Sequence, residues 1–120
     1  MIRKKYCVDG AWLESKTEKW MPVTDSSTGA VIAEVPSCTQ DEVLAAIDAA
    51  DRAFSTWSQM SLSKRTQLLF HWRNVLMEHL EELTLLCARE LGKTLNEARG
   101  DVLKAIEPTE LACATPYLTQ

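Results

Sequence analysis

Two periods of apolar residues divide this chain. Up to Val35 the pattern is short and extended. "KKYCVDGAWLES" sets Asp9-Gly10 between two runs rich in aromatic and β-branched residues. Asp-Gly supplies the positive φ angles that a two-residue hairpin turn demands. Residues 20–24 then alternate large and small side chains, "DSSTG" is turn-forming by composition, and "AVIAEVP" runs extended until Pro36 ends it. The pattern predicts four short strands in two hairpins.

At Thr39 the period becomes helical. "TQDE" is a capping box: the Thr39 hydroxyl can accept from the N–H three residues on, and Glu42 can reach back. Val43, Ile47, Ala50, Phe54 and Trp57 form one apolar face of a helix ending near Trp57, with Asp48, Asp51, Arg52 and Ser55 on the solvated side. After the loop "QMSLS" a longer helical pattern begins near Ser63. It carries Leu68, Leu69, Trp72, Val75 and Leu76, then Leu80, Leu83, Leu86 and Cys87. One straight helix from Lys64 to Leu91 would be long for a globular domain, so a break around His79 fits, at a position the pattern leaves open. Gly92 falls just past the last apolar position, where a left-handed cap belongs. Thr94 and Glu97 make a second capping box, and Leu95, Ala98, Val102 and Ile106 carry the next face. Pro108 lacks an N–H and its ring meets the carbonyl of Lys104, so that helix is expected to end near Glu107 or kink there. "TELACATPYLTQ" has no clear assignment. The expected class is α+β: short antiparallel strands followed by three to four amphipathic helices. The expected organisation is a single 1–120 segment, with a β-hairpin region over 1–37 and a helical region over 38–120.

Composition narrows the function classes. Hydrophobic residues make up 46% and charged ones 25%, ordinary for a soluble globular chain. A net charge of −4 without a basic stripe argues against a nucleic-acid surface. No long apolar run follows the basic start, which argues against a secretory signal and a membrane span. The four cysteines, Cys7, Cys38, Cys87 and Cys113, show no zinc-ligand spacing. They are expected to be buried, reduced thiols in a cytoplasmic protein. His71 and His79 fit helix-surface or core-edge positions.

The candidate chemistry is thin. Gly92-Lys93-Thr94 is how a phosphate-binding loop ends, but that loop needs a glycine at position 87, where Cys87 stands, and a preceding strand rather than a helical pattern. A dinucleotide fingerprint fails because Gly10, Gly29, Gly92 and Gly100 are too scattered. Asp41-Glu42 and Glu81-Glu82 sit in helix first turns or on polar faces, where capping and solvation explain them. The residues themselves therefore nominate no catalytic, cofactor-binding or metal-ligating group. The leucine pairs 68–69 and 85–86, with Trp57 and Trp72, nonetheless ask for more burial than one layer supplies. They imply a partner surface, either another domain or another copy of the chain.

"YCVDGAWLESKTEKW", "STGAVIAEVPSCTQDEVLAAIDAADRAFSTWS" and "ELGKTLNEARGDV" resemble, in order and over essentially the whole chain, the N-terminal stretch of the aldehyde dehydrogenase superfamily. Within it they are most similar to the CoA-acylating methylmalonate-semialdehyde dehydrogenase branch. The resemblance implies a segment of a subunit roughly four times this length. Such an enzyme uses NAD and CoA, and its catalytic cysteine, general base and cofactor-binding βαβ units lie downstream of the matched region. It also implies that the segment is inactive alone, and that Cys113 matches a helix position rather than the catalytic thiol. Three departures stand out. "DSSTG" replaces the family's Asn-Pro-Ala-Thr-Gly turn, and Pro108 replaces an apolar helix residue. Lys104, followed by Ala105, replaces an arginine thought to meet the substrate carboxylate; lysine keeps the charge but loses the planar fork. Lys104 is the one substrate-binding candidate. The alternative expectation is a non-enzymatic, self-associating α+β module or a drifting gene remnant.

Overall fold

The computed structural model describes residues 2–118 and divides into two compact units, one ending at Gln59 and one beginning at Met60. In the first, β1 (Tyr6–Val8) pairs antiparallel with β2 (Ala11–Leu13), Cys7 opposite Trp12. Asp9 and Gly10 both take positive φ, 52° and 72°, the turn that the Asp-Gly pair predicts. β3 (Trp20–Thr24) pairs antiparallel with β4 (Val31–Pro36), with a register shift between Val23 and Thr24. The intervening turn is organised by Asp25, whose Oδ1 accepts from the Ser27 and Thr28 amides, while Gly29 closes it at φ 73°. An aspartate thus does locally what an Asn-Pro pair does by ring constraint. On its other edge β4 receives a parallel bridge from residues 2–4, and the Arg3 guanidinium lies 4.6 Å from the Trp20 ring centre while bonding Glu34.

α1 (Gln40–Trp57) starts at the predicted capping box, with both reciprocal hydrogen bonds between Thr39 and Glu42 present. No α1 residue is buried, and Val43, Ile47, Phe54 and Trp57 are all exposed.

The second unit is helical: α2 (Leu62–Glu78), α3 (Leu80–Leu91), α4 (Leu95–Cys113) and the single turn α5 (Thr115–Leu118). The long apolar pattern breaks at His79, which ends α2 and begins α3 with φ −97° and ψ 13°. α4 packs against both α2 and α3. Leu80, Ala98, Ile106 and Cys113 form the core, joined by Thr66 and Thr84. The two threonine hydroxyls donate to the carbonyls four residues back, Leu62 and Leu80, so burial leaves neither unsatisfied.

Of the two outcomes expected at Pro108, a stop and a kink, the stop is not found: α4 runs through Pro108 to Cys113. Tertiary packing overrides the local penalty: Cys113, seven residues beyond Ile106 on the same face, is buried, and Glu110 binds Arg73 of α2 at 2.8 Å. The cysteines are all free but not all buried, since Cys7 is exposed on its short hairpin and only Cys113 is fully covered.

Candidate functional site

The Gly-Lys-Thr stretch is a joint between helices. Gly92 adopts φ 66° and ψ 31°, and the amides of Gly92 and Lys93 both donate to the Ala88 carbonyl, capping α3. Thr94 turns its hydroxyl back on the first turn of α4, where the Glu97 amide donates to it and the Glu97 carboxylate accepts from the Thr94 amide. The Lys93 ammonium is bound to Asp101, which holds its pKa above the usual lysine value. The amides and the ammonium that would cradle a phosphate are thus committed to the fold. At this backbone geometry a side chain is strained, so Gly92→Ala is expected to cost about 1 kcal/mol in a urea melt. Unchanged stability would show that no left-handed cap exists there.

The structure places Lys104 on an exposed face of α4, and among the described residues no side-chain hydrogen bond or ion pair engages it. Nothing in the described structure surrounds it with a concave site, and it stands apart from the better-formed cavities. One of these, of about 410 Å³, lies between α2, α4 and α5 and is lined by Phe70, Asn74, Cys113 and Tyr117 with the Arg73–Glu110 pair on its wall. That pair was not legible from sequence, because its partners lie 37 positions apart. A wider groove of about 620 Å³ runs between α2, α3 and α4. Its lining includes Trp72, Leu76, Leu83, Leu86 and Val102, and Trp72 and Leu86 are each about half exposed. Among the described residues no group of three His, Cys, Asp or Glu side chains could hold a metal ion, and no helix is long and apolar enough to cross a membrane. The described strands form two antiparallel hairpins, so a parallel βαβ unit for a dinucleotide is absent among them.

The dominant feature is uncovered apolar surface. On α1 Ile47 and Phe54, on α2 Leu68 and Trp72, and on α3 Leu85 and Leu86 are each exposed by about half or more.

A model described as the aldehyde dehydrogenase family matches residues 12–117. Among curated relatives, a malonate-semialdehyde dehydrogenase of Listeria monocytogenes is 42% identical over 118 residues, covering 98% of this chain and 24% of that protein. Among solved structures, a methylmalonate-semialdehyde dehydrogenase from Oceanimonas doudoroffii superposes with a TM-score of 0.93 at 28% identity, over 100% of this chain and 24% of that one. An NAD-dependent benzaldehyde dehydrogenase from Corynebacterium glutamicum gives a TM-score of 0.87 at 25% identity, over 94% of this chain and 25% of that one. The chain thus spans about a quarter of the length of the relatives it matches.

Proposed function

The chain belongs to the aldehyde dehydrogenase family, and from that premise we propose that it forms the N-terminal, non-catalytic segment of an NAD-dependent, CoA-acylating enzyme acting on malonate or methylmalonate semialdehyde in the cytoplasm. The observation that carries the proposal is the joint presence of a match over nearly the whole chain and of apolar helix faces left open to solvent. Those faces suit a segment that packs against the remainder of a dehydrogenase subunit.

The cofactor site of this reading lies outside the segment: among the described residues the Gly92 loop is a helix joint, and the strands form antiparallel hairpins rather than the parallel crossover of a dinucleotide site. In the complete family enzyme NAD would accept a hydride at a site built elsewhere. This segment contributes packing surface and, through Lys104, a positive charge for the substrate's carboxylate.

The test is reconstitution. The chain is mixed with the Listeria malonate-semialdehyde dehydrogenase lacking its aligned N-terminal 118 residues, and aldehyde-dependent NADH formation is followed. Activity is expected only when both pieces are present. Lys104→Ala should raise KM for the carboxylate-bearing aldehyde about tenfold, as expected for one lost charge contact, while Lys104→Arg keeps KM low. Saturable NAD binding by the chain alone at micromolar concentration would contradict the proposal.

A further inference from the structure

Glu42 does more than cap α1. Its Oε2 accepts from the Thr39 amide at 2.8 Å and from the Ser15 hydroxyl at 2.7 Å, and its Oε1 accepts from the Lys16 amide at 2.7 Å. Ser15 and Lys16 belong to the connection between β2 and β3, 27 and 26 positions away. That connection is ordered within itself: the Thr17 amide donates to the Ser15 hydroxyl, and the Trp20 indole donates to the Thr17 carbonyl. Glu97 occupies the equivalent place in the capping box of α4, and the hydrogen bonds recorded for its carboxylate go only to Thr94. The two boxes are alike in sequence and differ in this one long-range attachment.

We propose that the Glu42 carboxylate is an acid-sensitive latch that closes the 15–17 strap onto the first turn of α1 and releases it on protonation. Three donors from two segments converge on two acceptor oxygens. A neutral carboxyl turns one of those oxygens into a donor, so the Ser15 hydroxyl must reverse its role or let go, and the charge that strengthens all three bonds is lost. Lys16 of the strap and Glu42 itself both line an open cleft of about 540 Å³ with Tyr6, Leu13, Asp41 and Ala45, so release of the strap moves one of its walls.

The charge setting is fully identified. Tyr6 faces the cleft from β1, its phenol raised by burial and then by Glu42 and Cys38. Glu14 and Lys16 come from the β2–β3 connection, Glu14 pairing with Lys5, and Asp41 comes from α1. The Lys16 amide, the Ser15 hydroxyl and the Thr39 amide, in that order, hold the Glu42 pKa below its ordinary value, against a smaller opposing effect of burial. The folded pKa lies below the unfolded one. The latch is therefore fully closed above the ordinary glutamate range, about 4.3, and opens as pH falls through the depressed value.

Amide hydrogen exchange by NMR on the whole chain tests this. Glu42→Gln replaces one acceptor oxygen by an NH2 group, so the Lys16 and Thr39 amides compete for a single acceptor, and the Lys16 amide should lose protection at least tenfold at neutral pH while α4 keeps its own. Glu97→Gln should leave Lys16 unchanged. In the native chain, stepwise acidification below the ordinary glutamate range should free Lys16 before the α4 amides exchange. Equal Lys16 protection in the native chain and Glu42→Gln, or loss of Lys16 protection only together with α4, overturns the proposal. Should Glu42→Gln unfold α1, Ser15→Ala removes one donor from outside the helix. It must then raise Lys16 exchange and shift the Glu42 carboxyl titration upward; absence of both effects is equally decisive against the latch.

Discussion

Ile106→Ala is expected to destabilise the C-terminal helical unit by about 3 kcal/mol. Ile106 is 3% exposed and lines the groove where α4 meets α2 and α3. Truncating it removes most of a buried aliphatic side chain and leaves a cavity that three helices cannot close without moving. The unit has few other anchors, since among the described residues only Leu80, Ala98 and Cys113 share its apolar core. A unit of about 60 residues has a total stability of only about 3–9 kcal/mol, so one truncation removes much or all of it. Urea unfolding followed by helical circular dichroism should place the midpoint of Ile106→Ala more than about 1 M below that of the native chain. Leu111→Ala is the matched control on the same helix. Leu111 is 65% exposed, and its loss should shift the midpoint only slightly. Coincident midpoints for the two variants would mean that the helices do not pack around Ile106.

The contrast between Ile106 and Leu111 also indicates why so much apolar surface stays open. α4 is apolar on more than one side, and its own unit covers only the side carrying Ala98 and Ile106. Within the same unit Trp72 on α2 and Leu86 on α3 are likewise exposed.

What the sequence revealed follows the reach of each signal. The Asp9-Gly10 turn, the Thr39 and Thr94 capping boxes and the Gly92 stop are decided by atoms within a few residues, and each appears where the pattern put it. Glu42 was legible as a cap but not as a tether, because Ser15 and Lys16 reach it through a fold that brings distant segments together. The Arg73–Glu110 pair was hidden for the same reason. The break between α2 and α3 fell at His79 without a glycine or proline to announce it; the His79 ring is bonded to Glu82 in the first turn of α3. Of the candidate site, Lys104 rested on likeness to a family pattern. Its spacing and neighbours alone do not distinguish it from any exposed lysine on a polar helix face.

Pro108→Ala is expected to stabilise the same unit by about 2 kcal/mol. A proline in a helix interior is roughly 3 kcal/mol worse than alanine, through a missing N–H and a clash with the carbonyl four residues back. Here that carbonyl belongs to Lys104, and α4 continues past it for another five residues to Cys113. Part of the gain is offset because proline also restricts the unfolded chain, worth up to about 1 kcal/mol. Pro108 is exposed, so alanine removes no buried contact and creates no cavity. The restored amide can donate to the Lys104 carbonyl and close the helical ladder between the Ile106 layer and the Cys113 layer. In a domain of this size, 2 kcal/mol corresponds to a rise of roughly 10 °C in Tm. Pro108→Gly separates the two contributions. It also restores the amide, but glycine is about 1 kcal/mol poorer than alanine in a helix, so its Tm should fall between those of the native chain and Pro108→Ala. A Pro108→Ala variant no more stable than the native chain would show that α4 accommodates the ring without cost. The packing of Ile106 and Cys113 would then have no proline penalty to overcome.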